Sequence, residues 1–217
     1  MKVYLEVTKR RTFAVAVDWP GWARAAKTED EALDALIAYG DRYKKAMGTV
    51  ADLQVPRDRK ALKVVERLTG NATTEFGAPG VIPVGDRTQV SDKELDAQID
   101  LLKASWRAFD RTVKKAEGKE LVPSGPRGGG RALAKIAEHV VGAQAGYTGA
   151  VGGKARESEP WTDIQSAFIE ALRARNAGEL PDRGPRGGER WPARFAVRRS
   201  AWHALDHTWE IEDRIVR

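Results

Sequence analysis

The chain has 217 residues, 41% of them hydrophobic and 31% charged, a balance that suits a folded protein with a real core and excludes wholesale disorder. It contains no cysteine, which excludes structural disulfides, thiolate zinc sites and a catalytic thiol supplied by the chain itself. The formal net charge of +6 divides evenly, +3 on either side of residue 90, with acidic residues interspersed; this predicts a mixed-sign solvated surface and argues against a nucleic-acid footprint.

The opening MKVYLEV brings in Glu6 at once and lacks the apolar stretch of a secretory signal. No run of about 18 or more apolar residues occurs in the chain, so a cytoplasmic protein without a membrane span is expected. VYLEV (3–7) and FAVAV (13–17) are short, β-branched and aromatic, and the polar TKRRT between them predicts a β-hairpin. DWPGW (18–22) predicts a Pro-Gly turn. Thr28 with Glu31 has the spacing of a capping box, and Leu33, Leu36, Ile37, Gly40, Tyr43 and Met47 continue at helical spacing. ALKVVERL (61–68) offers a further strand. Residues 70–90 hold glycines and prolines with no steady period and are expected to link two domains.

Beyond that linker the pattern is helical. Ser91 and Glu94 form a second capping box, followed by an apolar stripe of Leu95, Ile99, Leu102, Trp106, Phe109 and Val113. A second helix carries Leu133, Ile136, Val140, Ala143 and Tyr147. Thr162 with Gln165 is expected to cap a third, bearing Ile164, Phe168 and Leu172. A fourth runs from about residue 193. The expected class is therefore an α+β N-terminal domain over residues 1–69, a linker over 70–90, and an all-α four-helix bundle over 91–217.

A short repeat precedes two of these helices. GPRGGGR (125–131) and GPRGGER (184–190) match at six of seven positions. They serve either as turns between helices or as two arginine-bearing loops at one mouth of the bundle. In the second case Arg127, Arg131, Arg186 and Arg190 would bind an anionic substrate.

The three histidines of the chain fall on the helices that follow those loops. His203 and His207 are four residues apart, about 40° on a helical wheel, the spacing at which two imidazoles can share one ion. His139 lies three residues after Ile136, beside the buried stripe of its helix. The pair borders the inward sector of Val197, Ala204 and Ile211, while Asp206 and Arg199 are expected to face water. Three neutral imidazoles leave a coordination position open, as catalytic sites do. Zinc is the first choice, and nickel or iron accepts the same ligands. Glu210 falls about 20° from His203 on the wheel and is a candidate fourth ligand or catalytic base. The tryptophans at 202 and 209 read as core residues packing on neighbouring helices.

At these residues the chain resembles the DinB/YfiT-like superfamily of four-helix bundles, which place one metal-binding histidine on the second helix and an HxxxH pair on the fourth. "KIAEHVVGAQAGY" supplies His139 and "AWHALDH" supplies His203 and His207. The resemblance covers roughly residues 90–217. It implies a metal-binding protein, and a transferase or isomerase that activates a low-molecular-weight thiol on the metal. The absence of cysteine suits that chemistry. The N-terminal unit is similar to HicB-like domains through its hairpin, "DWPGW" and the capped helix in "KTEDEALDAL", but it lacks a recognisable DNA-binding helix or ribbon.

Two functions are therefore set side by side. One is a metal-dependent thiol transferase, isomerase or hydrolase acting on a small acidic or thiol-conjugated substrate. The other is a non-catalytic adaptor or antitoxin-like regulator that binds a partner protein, or a second copy of the chain, through the HicB-like unit.

Overall fold

Alternate residues of the first two strands face opposite sides, and both sides are buried. In the computed structural model, which describes residues 1–50, 52–123 and 130–216, Val3, Leu5, Ala14 and Ala16 enter one apolar cluster while Tyr4, Phe13 and Val15 enter another. That is why these strands read as continuous apolar runs. Strand β1 (Lys2–Val7) pairs antiparallel with β2 (Thr12–Ala16), with Leu5 opposite Ala14, as the hairpin pattern predicts. Strand β3 (Ala23–Ala26) adds antiparallel to β2, and β4 (Lys63–Thr69) adds parallel to β1 at the far edge. The sheet is mixed, in the order β3-β2-β1-β4, and the fold is α+β.

Thr28 and Glu31 form the expected capping box at the start of helix α1 (Glu29–Ala38). The apolar spacing suggests one helix to Met47, but the structure interrupts it at Tyr39, after which α2 (Gly40–Met47) follows. Packing leaves no room for a side chain at residue 40: a Cβ at Gly40 would lie 2.2 Å from Val55 Cγ1 and 3.0 Å from Trp22 Cζ2. Trp22 is fully buried, stacks on Tyr43 at 5.2 Å and donates its indole N–H to the Leu36 carbonyl at 2.8 Å.

Residues 70–90 contain a short helix, α3 (Ala72–Phe76), and a 3₁₀ turn over Val84–Arg87. They are tied down by two buried acids. Glu6 accepts from the Thr74 hydroxyl and from the backbone N–H groups of Gly80 (2.9 and 3.1 Å) and Val81 (3.2 Å). Asp86 takes the Arg198 guanidinium at 2.9 and 3.0 Å.

Four long helices follow: α4 (Asp92–Ala116), α5 (Leu133–Val151), α6 (Trp161–Asn176) and α7 (Ala193–Arg214). Ser91 and Glu94 cap α4 reciprocally, as expected. The box expected of Thr162 and Gln165 does not form. Helix α6 begins after Pro160, which leaves Thr162 inside the first turn with its hydroxyl on Asp163. The α4 stripe meets Ile136 and Val140 of α5, Phe168 and Leu172 of α6, and Val197, Ala204 and Ile211 of α7 in one core. Each large side chain in it contributes roughly 1.5–3 kcal/mol by leaving water.

Helix α7 is buried nearly all round, because the sheet unit covers the side that the other helices leave open. Leu205 and Trp209 join the cluster under the sheet, and Trp202 meets Phe13 edge-on at 6.0 Å on the other face. Asp206 and Arg199, expected to face water, are accordingly covered: Asp206 is 7% exposed and ion-paired with Arg24 at 3.3 Å. Trp209 packs among Leu101, Ala104 and Ala108 of α4 as well as the N-terminal unit, while Trp202 packs on the sheet. Among the described residues no helix is long and apolar enough to cross a membrane.

Candidate metal centre

Helices α5 and α7 run antiparallel. The Trp191 N–H at the start of α7 bonds the Ala150 carbonyl at the end of α5, and twelve to sixteen residues later α7 reaches the first half of α5. There His203 and His207, one turn apart, face His139. The three ring centroids are 4.7–5.0 Å apart. One nitrogen from each ring lies within 4.8 Å of the others, a spacing at which one cation can be held.

The closest pair is the most telling. His139 Nε2 and His203 Nε2 are 3.2 Å apart. Two nitrogens on a tetrahedral ion with bonds of about 2.05 Å would be separated by about 3.3 Å. His203 and His207 are buried, while His139 is exposed, so the cluster opens to solvent along α5.

Electrostatics favour the neutral imidazoles that a cation needs. Burial pushes His203 well below its usual value, reinforced by the positive charge of His207, Arg199, His139 and Arg131. His139 is also lowered, first by burial and then by His207 and Arg131, with Glu210 opposing.

Glu210 occupies a defined place beside the cluster. Its Oε2 is 2.7 Å from His207 Nδ1, and its Oε1 accepts from Arg214 Nη1 at 3.1 Å. Arg214 is itself buried and donates to the Val122 carbonyl at 2.9 Å. A carboxylate on Nδ1 fixes the tautomer that presents Nε2. Arg214 is not singled out by the sequence reading, although it stands four residues after Glu210, the spacing of a helical ion pair.

The arginines of the repeated loops part company. Arg127 lies outside the described residues. Arg131 directly precedes α5 and is exposed, near enough for its charge to act on His139 and His203. Arg190 donates to the Gly149 carbonyl at the other end of α5, roughly 24 Å along the helix from its start. Arg186 is exposed in the turn beside it. The single mouth expected of the two loops is therefore not formed, because the helices they precede run in opposite directions.

Comparison with protein-family models, with curated proteins and with solved structures gave no match.

Proposed function

We propose that the chain is a metal-dependent enzyme of the DinB/YfiT-like kind. In this reading α4–α7 form its four-helix bundle, and the sheet with α1 is a HicB-like unit that acts as scaffold. His139, His203 and His207 hold one divalent cation, zinc before nickel or iron. The carrying observation is that these three imidazoles, from two antiparallel helices, bring their nitrogens within 4.8 Å.

A bound ion would supply Lewis acidity at a position left for an exogenous thiol or water. The chain's own residues do the rest. Glu210 holds His207 in the ligating tautomer, and Arg214 holds Glu210. Tyr147 packs edge-on to His203 at 5.6 Å and, with Trp202, gives the cluster an aromatic wall. Burial of His203 and His207 keeps water from their side, so that a small substrate approaches past His139. The reaction class is transfer of a small thiol, or hydrolysis, on a small acidic substrate.

Elemental analysis of freshly purified protein tests the reading. It predicts about one divalent metal per chain, lost in His203→Ala and His207→Ala, and acceleration of mercaptan addition to an activated acid only when metal is present. Absence of metal after supplementation would end it.

A further inference from the structure

Among the described residues most covered arginines come with acceptors, but the one beside the histidine cluster does not. Arg198 has Asp86 and two backbone carbonyls, Arg214 has Glu210 and the Val122 carbonyl, and Arg24 has Asp206. Arg199 makes no ion pair or hydrogen bond among the described residues, and its Nη1 is buried without a partner. The Trp202 indole N–H is also buried without an acceptor. Glu6 is near enough for its charge to act on Arg199, but both its oxygens already accept from Thr74, Gly80 and Val81.

What Arg199 does touch is aromatic. Its guanidinium lies 4.7 Å from the Trp202 ring and 5.5 Å from the Tyr147 ring. The same two rings border His203, at 6.2 and 5.6 Å. Arg199 also stands one helical turn before His203, itself one turn before His207, so the three lie along one strip of α7. A half-buried guanidinium with one nitrogen shut off from water and no acceptor is costly, and beside a site it is a group that a ligand can complete.

We propose that Arg199, with the indole N–H of Trp202, is the receptor for a carboxylate or similar oxyanion on the molecule that binds at the histidine cluster. The site thereby selects acidic thiols or substrates over neutral ones of the same size. Tyr147 is the wall along which such a molecule reaches from the imidazoles to the guanidinium. This rests on the metal reading above and adds to it an anion site on α7 itself.

The test compares mercaptopropionate with mercaptopropanol on the cobalt-loaded full chain, reading metal content first and then the near-ultraviolet thiolate-to-cobalt absorption. The expected result is about ten-fold tighter binding of the acid, since a charge-assisted pair is being formed. Arg199→Met should bring the two affinities to within about two-fold with metal content intact, Arg199→Lys should fall between, and Trp202→Phe should cost the acid about two- to three-fold. Metal content identifies variants that fail to fold, and Arg199→Gln then serves in place of Arg199→Met. Equal affinities in the native chain, no binding of either mercaptan to metal-loaded protein, or a preference that survives Arg199→Met would each overturn the anion site while leaving the metal reading standing. A chain that takes up no cobalt would overturn both.

Discussion

His207 Nδ1 lies 2.7 Å from Glu210 Oε2, and the other oxygen of that carboxylate is held by Arg214 at 3.1 Å. The imidazole is thus positioned from behind by a carboxylate that is itself fixed. Carboxylates in this position orient a ligand histidine and raise its basicity. Glu210→Gln is expected to weaken divalent-metal affinity about 10- to 100-fold with little loss of helix content. Competition with a chromophoric chelator measures it. Unchanged affinity would remove Glu210 from the centre.

The depressed histidines give the metal-free chain a pH dependence of definite sign. His203 and His139 resist protonation when folded, chiefly through burial, whereas in the unfolded chain they protonate near their ordinary value of about 6.5. Below that value the unfolded state binds more protons, so stability is lost as pH falls and levels off below the folded values. Urea midpoints of chelated protein between about pH 7.5 and 5.5 should decline, and His203→Asn should flatten the slope. A midpoint that rises on acidification would contradict the burial argument.

Asp86 and Arg198 are 2% and 4% exposed and bind the 70–90 segment to α7. Asp86→Ala leaves the guanidinium buried without its acid and should cost about 3–5 kcal/mol in urea unfolding. Replacing both partners, as in Asp86→Leu with Arg198→Met, should recover much of that loss. A single-variant cost below about 1 kcal/mol would place the pair in the range of surface bridges.

Two glycines separate packing from propensity. A Cβ at Gly40 runs into Val55 and Trp22, so Gly40→Ala should destabilise by about 1–3 kcal/mol. At Gly146, inside α5, a Cβ meets nothing within 4 Å, so Gly146→Ala should stabilise by about 0.5–1 kcal/mol. Thermal melts of the two variants should move in opposite directions.

The long helices were legible because their stripes recur at the helical period; Leu95 through Val113 fall on α4 as spaced. Strand β3 was not, since Ala23–Ala26 has no β-branched or aromatic residue and is made a strand by pairing with β2. The break at Tyr39 was equally hidden, since the close approach of Gly40 to Val55 and Trp22 does not show in the apolar spacing. The histidine cluster could be read because the wheel places His203 and His207 together and His139 beside its own stripe. A wheel does not tell what covers the far side of a helix, and the sheet unit does so here, burying Asp206 and half-burying Arg199. Nor does a repeat tell the direction of the helix that follows it, which is why Arg131 and Arg190 end far apart.

Whether three imidazoles share one cation is read from X-ray absorption at the zinc edge of metal-loaded protein. The expected spectrum has three nitrogen scatterers at about 2.0–2.1 Å, with imidazole multiple scattering, falling to two in His139→Ala. A zinc ion surrounded only by oxygens, or a spectrum unchanged in the His139→Ala, His203→Ala and His207→Ala variants, would contradict it.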